Sequence, residues 1–180
     1  MKLEKDEILK GYKIRLKPTE KQIELFKKSV GCSRFIYNWG LQKQIENYKK
    51  TGKIVSDLVI RKEMTQLKKQ KEFEWLNDVG SNVLKQSLKN LFKAYSNFFK
   101  GKGFPKFKTK KSNKESFYVN YESLKKTNNG FRGERLGEVK TSESLPEINK
   151  NEYYYCPYIS FDNKYWYLCF SIKAKKEKVE

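Results

Sequence analysis

The 180-residue sequence contains no histidine, only three cysteines, four prolines and four aspartates. Without histidine the usual general base, proton shuttle and commonest metal ligand are missing. Cys32, Cys156 and Cys169 are odd in number, widely spaced and without a Cys-x-x-Cys pair, which argues against a structural zinc site. They read as small core residues in a reducing cytoplasm. Asp6, Asp57, Asp78 and Asp162 are scattered over expected loops and element ends, and no spacing among them builds a metal-binding carboxylate cluster. No nucleophile–base pair stands out either. Long apolar runs are also lacking. Nothing approaches the ~20 residues of a membrane span, and the N-terminal MKLEKDEILK has no signal-peptide apolar centre. The expectation is a cytoplasmic protein with no membrane association, no metal and no catalytic centre in this chain.

Acidic residues are few relative to basic ones. Forty Lys and Arg oppose 21 Asp and Glu, giving a net charge of +19 and a pI near 9.7. Such an excess points to a nucleic-acid partner, with an anionic membrane surface the weaker alternative. Lysine greatly outnumbers arginine, and Asn, Ile and Tyr are abundant; part of the charge therefore reflects a compositional bias of AT-rich coding. The 37% hydrophobic and 15% aromatic content is enough for a core, in one ordinary domain or two small ones.

The stretch from Val79 to Lys114 holds ten lysines and no Asp or Glu. Leu84, Leu88, Leu91, Tyr95 and Phe98 recur at three- and four-residue steps and share one face of a predicted helix. Lys85, Lys89, Lys93 and Lys100 fall on another stripe, roughly 140° away at about 100° per residue. Gly101, Gly103 and Pro105 then end the helix and open a basic, aromatic tail. A solvated helix face usually carries acidic partners four residues along, and this one has none. Lys85, Lys89, Lys93, Lys100, Lys102, Lys106, Lys108, Lys110 and Lys111 are therefore the candidate phosphate-contacting set. Packing is the expected role for Phe104 and Phe107, because Pro105 sets a turn that can tuck both rings inward, although exposed aromatics stack on unpaired bases.

Upstream, Tyr12–Leu16 alternates as a half-buried strand. Thr19 and Gln22 form a capping box for a helix over about residues 20–30, closed by Gly31. A second helix spans about 33–49, with Tyr37, Leu41, Ile45 and Tyr48 at helical steps. Two helices joined at a glycine match a helix-turn-helix, whose readers would be Arg34, Asn38 and Gln42; a plain packing unit is the stronger alternative. A third helix starts with Ser56 as cap and carries Leu58, Met64 and Leu67, and Ser81 caps the long basic helix. Strands follow at 116–121 and 136–140, with a turn at Asn128–Gly130. A final hairpin runs from Pro157 to Ile172, with Trp166, Leu168, Phe170 and Ile172 on one face. The pattern is an α+β fold: a β-barrel interrupted by an insertion of about four helices. Its expected parts are residues 1–17 as first barrel strand, 18–112 as helical insertion, 113–173 as remaining barrel strands and 174–180 as tail.

Several segments together resemble the N-terminal half of the TnpB (OrfB) insertion-sequence proteins. They are Lys17-Pro18-Thr19, Gly31-Cys32-Ser33-Arg34-Phe35-Ile36-Tyr37-Asn38-Trp39, Trp75-Leu76, Ser81-Asn82-Val83-Leu84, the LKNLFKAYSNFF run, Gly103 to Lys108, and Ser116-Phe117. The resemblance covers roughly residues 11–172. It implies a wedge barrel carrying a helical recognition domain, in transposon-encoded RNA-guided DNA nucleases that bind a guide RNA and target DNA. It further implies that Ser81, Asn82, Lys85 and roughly Asn120 match a surface reading a short target-adjacent motif. In that family a RuvC domain with catalytic magnesium and a zinc insert comes next, and the sequence stops at Glu180 before its first catalytic strand. The expectation is a nucleic-acid-binding portion without its own nuclease centre, binding transposon-end RNA and target DNA, with a separate RuvC-containing chain as a further possible partner. The alternatives are a stand-alone helix-turn-helix DNA-binding regulator and a non-functional transposase remnant.

Overall fold

The computed structural model describes residues 6–111 and 114–175. Strand β1 (Glu7–Lys17) leads into helix α1 (Glu20–Thr51), then α2 (Asp57–Leu67), a 3-10 segment (Lys71–Asp78) and α3 (Ser81–Phe99). Six strands follow: β2 (Ser116–Tyr118), β3 (Lys125–Thr127), β4 (Gly130–Gly133), β5 (Gly137–Thr141), β6 (Tyr155–Phe161) and β7 (Trp166–Lys175). The α+β class expected from the sequence is what is found. The described residues fall into two compact units, 6–24 with 116–175, and 25–111 with 114–115.

The first unit is a seven-stranded antiparallel sheet in the order β2-β6-β7-β1-β5-β4-β3. Its spine is the β1–β7 ladder, in register from Glu7 opposite Lys175 to Arg15 opposite Tyr167. The last residues of β1, Leu16 and Lys17, then change partner and pair with Thr141 and Lys140 of β5. Ile14 and Leu16 on β1, and Trp166, Leu168, Phe170 and Ile172 on β7, are buried, as two-residue alternation requires. The expected barrel is not closed. The sheet ends at β2 and β3, three residues each, and among the described residues these do not pair with each other. Such short edges offer little unpaired backbone to a further strand.

Strand β6 begins earlier than its proline. Between Tyr155 and Tyr158 the register slips, Cys156 adopts φ 48°, and the Pro157 carbonyl accepts the Val119 N–H at 2.9 Å. A bulge is where a strand tolerates a residue lacking an N–H. The bulge leaves Cys156 exposed, and Cys169 is half-buried on the outer face of β7 with Tyr167 and Ser171, so of the three thiols expected in the core only Cys32 is buried there. In the β3–β4 turn a Cβ on Gly130 would lie 2.0 Å from the Val139 carbonyl oxygen, which admits only glycine.

The second unit is helical. The two helices expected on either side of Gly31 are one helix of 32 residues. Phe26, Val30, Tyr37, Leu41 and Gln44 are buried, and their steps of four, seven, four and three residues run through position 31 without a change of phase. A helical glycine costs about 1 kcal/mol, whereas each large apolar side chain buried returns roughly 1.5–3 kcal/mol, so packing overrides the break. In α2 it is Ile60, Met64 and Leu67 that are buried, while Leu58 faces solvent. Ser56 occupies the N-cap position without a side-chain capping bond. Helix α3 starts at Ser81, and its N-cap is Gly80 rather than the serine. Val83, Leu84, Leu88, Leu91 and Tyr95 are buried, but Phe98, assigned to the same stripe, is partly exposed.

Helices α1 and α3 approach closely at Gly40, where an added Cβ would fall 2.8 Å from Leu88 Cδ2 and 3.0 Å from Leu91 Cδ2. Nearby the Ser33 and Ser87 hydroxyls share a hydrogen bond of 2.7 Å. The cluster of Cys32, Ile36, Ile60, Met64, Leu76, Leu84 and Leu88 ties α1, α2, the 3-10 segment and α3 together.

Candidate nucleic-acid interface

The amphipathic phase of α3 buries its leucines and thereby turns Lys85, Lys89 and Lys93 outward; all three are exposed. Among the described residues none of them forms an ion pair. The row is therefore three adjacent positive charges one turn apart with no carboxylate to neutralise them. Lys100, Lys102, Lys106, Lys110 and Lys111 are likewise exposed beyond the helix end.

Lys108 differs from the rest of that set. It is half-buried, its ammonium sits 4.3 Å from the centroid of the Tyr37 ring, and burial holds its pKa below the usual lysine value. Its backbone is held as well: the Asn38 Nδ2 donates to the Lys108 carbonyl at 2.9 Å, and the Lys108 N–H donates to Asn38 Oδ1 at 2.8 Å. Lys108 thus fastens the basic tail to α1 instead of facing outward with its neighbours.

Of the three helix-turn-helix readers, Asn38 is drawn into a structural role. Both polar atoms of the Asn38 amide serve that clamp, and exposed Gln42 donates to Glu46 Oε1 at 2.8 Å. Arg34 is half-buried. Gln44 repeats the Asn38 device: its amide donates to the Val55 carbonyl at 2.7 Å and accepts the Val55 N–H at 2.8 Å, pinning the α1–α2 connection.

The four expected motif readers are divided between the units. Ser81 and Asn82 are half-buried in the first turn of α3, with Lys85 exposed one turn on. Asn120 belongs to the sheet unit, where its carbonyl accepts the N–H groups of Ser123 and Leu124 at 3.1 Å each and its side chain accepts the Glu122 N–H at 3.4 Å.

Two groups escaped the sequence reading. On the sheet, exposed Lys13 and Arg15 lie over tyrosines of the last hairpin, Lys13 Nζ 4.1 Å from the Tyr167 centroid and the Arg15 guanidinium carbon 3.5 Å from that of Tyr165. These are diagonal cross-strand neighbours, since Arg15 pairs directly with Tyr167 and Lys13 with Cys169. Their shared parity on two antiparallel strands was the available signal. In the helical unit, Tyr48, Phe98, Phe99 and Phe104 are all partly exposed together. Phe104 and Phe107 were expected to tuck inward; they remain 46% and 48% exposed because Pro105 itself takes the buried position.

Among the described residues no three His, Cys, Asp or Glu side chains converge to hold a metal ion, and no helix is long and apolar enough to cross a membrane.

The family model of the helix-turn-helix domain of OrfB (IS605) proteins matches residues 8–53. Over 146 residues, 79% of its length, the chain is 31% identical to "Putative RNA-guided DNA endonuclease InsQ" of Escherichia coli (strain K12), covering 36% of that protein. It is 29% identical over 140 residues to "Putative RNA-guided DNA endonuclease" of Streptomyces pristinaespiralis, covering 34% of it. The chain thus spans about a third of the length of these curated relatives, and it carries the OrfB-type, TnpB-like N-terminal region. The segment matched as helix-turn-helix is here β1 followed by the single helix α1.

Proposed function

We propose that the chain is the nucleic-acid-binding part of a TnpB-like protein and takes a structured guide-type RNA and target DNA as partners. The observation that carries the reading is the exposed, carboxylate-free row of Lys85, Lys89 and Lys93 on α3. Lysine ammonium groups act there as point charges on successive phosphates, releasing counterions as they bind. Lys100, Lys102, Lys106, Lys110 and Lys111 extend the row, and Lys13 and Arg15 supply a second cationic patch on the sheet. Ser81, Asn82 and Lys85 at the head of α3, with Asn120 on the sheet, are the proposed readers of a target-adjacent motif. The role assigned to these residues is binding without a cofactor; cleavage would fall to a RuvC-type, magnesium-dependent centre outside them. Recognition of duplex DNA by Arg34, Asn38 and Gln42 has less support, since the Asn38 amide is already spent on Lys108.

The test is binding of a folded hairpin RNA over a salt series, for the wild type and for the triple variant Lys85→Glu, Lys89→Glu, Lys93→Glu. Weaker binding is expected, with the log–log salt slope reduced by about three, one per lysine. An unchanged affinity and slope would overturn the assignment.

A further inference from the structure

The last turns of α1 and α3, together with the chain around Phe104, border a groove of about 250 Å³ lined by Ile45, Tyr48, Tyr95, Phe98, Phe99 and Phe104, with Ile54, Gln44 and Lys49 completing it. Tyr95 is buried beneath it, while Phe99 and Tyr48 are 64% and 59% exposed. Phe104 stands edge-on to Phe98 (5.2 Å, 84°) and to Tyr95 (5.7 Å, 88°). These mutual contacts hold the rings in place without covering them. A cluster of exposed aromatics of this kind on a folded surface marks an interaction site.

Charge narrows the occupant. The chain segments that form the groove, 44–54 and 95–104, contain five lysines and a single carboxylate, Glu46. Glu46 already accepts the Gln42 hydrogen bond at 2.8 Å, and Asp57, three residues past Ile54, is paired with Arg61 at 2.9 Å. The partner must therefore offer flat apolar surface together with dense negative charge. A second copy of this chain fits poorly, because a two-fold contact would set the same lysines against each other. The groove is lined almost wholly by apolar and aromatic side chains, without the convergent polar groups that orient a small molecule, and paired bases in a duplex present no free ring face.

We propose that this groove is a stacking site for unpaired bases of a single-stranded segment, with the adjoining phosphates held by Lys49, Lys100 and Lys102. The proposal rests on the nucleic-acid reading above; it shares Lys100 and Lys102 with the extension of that row but uses none of Lys85, Lys89 and Lys93. Aromatic stacking accepts any base, so the site grips a strand without reading its sequence. It would hold the unpaired part of a bound RNA or a displaced DNA strand.

The test measures binding of a short oligothymidylate and of a matched duplex to the full chain and to the double variant Tyr48→Leu, Phe99→Leu. These are the most exposed rings of the groove, so leucine there preserves apolar bulk and the fold. Loss of roughly five- to hundredfold in single-strand affinity is expected, with duplex affinity and salt slope unchanged. Single-strand affinity that survives in the double variant but falls in the Lys85, Lys89, Lys93 triple variant would overturn the stacking site and leave the nucleic-acid reading standing. Absence of binding to the oligothymidylate, the duplex and the hairpin RNA would overturn both. Tighter binding to phosphatidylserine–phosphatidylcholine vesicles than to the oligothymidylate, equal in the leucine variant, would overturn it in favour of a membrane surface.

Discussion

Asn38 grips the backbone of Lys108 with both ends of its amide, donating to the carbonyl at 2.9 Å and accepting the N–H at 2.8 Å. The two residues are 70 positions apart, and their contact is what holds the basic tail after α3 against α1. Asn38→Ala removes both bonds and leaves a partly buried N–H and C=O without partners, a cost of about 1–3 kcal/mol. The expected outcome is a lower melting temperature and faster tryptic cleavage around Lys106 to Lys111. A cleavage pattern identical to the wild type would show that the clamp does not hold the tail.

The two glycines of α1 should respond to alanine with opposite signs. A Cβ on Gly31 meets nothing within 4 Å, so Gly31→Ala gains helix propensity and stabilises by up to about 1 kcal/mol. At Gly40 the Cβ falls 2.8 Å from Leu88 Cδ2, and Leu88 is fully buried. Gly40→Ala therefore overpacks the α1–α3 contact, and a net destabilisation of about 1–2 kcal/mol is expected. Urea midpoints of the two variants check the contrast.

The three thiols should label in a fixed order. Burial raises the Cys32 thiol to about 11, so near pH 8 it is both covered and protonated, and only thiolates react. Cys156, exposed at the β6 bulge, should alkylate first. Cys32 should resist until denaturant unfolds the chain. Rapid labelling of Cys32 in native buffer would contradict the packing of α1.

Asp162 sets the acid limit of the last hairpin. Its carboxylate accepts the N–H of Tyr165 at 2.7 Å and of Lys164 at 3.0 Å; the bond from the Tyr165 N–H is the main reason its pKa lies below the usual aspartate value. A carboxylate with a depressed folded pKa contributes stability above its unfolded value and loses it as pH falls through the folded one. Asp162→Asn should therefore lower the melting temperature near neutrality and converge with the wild type in acid. Parallel melting curves at all pH values would contradict this.

Much of the scaffold was legible because it rests on short-range patterns. The Thr19–Gln22 capping box forms as its spacing demands, with Gln22 N–H donating to Thr19 Oγ1 at 3.3 Å and Thr19 N–H to Gln22 Oε1 at 3.0 Å. The alternation along β7 buries Trp166, Leu168, Phe170 and Ile172 as expected, and the α3 lysine row emerges on the exposed face. Gly31 misled because a local stop signal was weighed without the helix packing that outweighs it. Phe98 and Tyr48 misled because helical phase says which side a residue takes, not whether a neighbouring element extends far enough to cover it.

By itself the sequence determined the α+β class, the alternating faces of β1 and β7, the basic face of α3 and the excess of positive charge. Those properties follow from residue identity and from periodicities of two or three to four residues. Only the tertiary structure decided that α1 runs unbroken, that the sheet stays open, that Lys108 turns onto Tyr37 while its neighbours stay outside, and that Tyr48 and Phe99 meet across a groove. Each of these depends on where two distant segments end in space, and no local pattern carries that information.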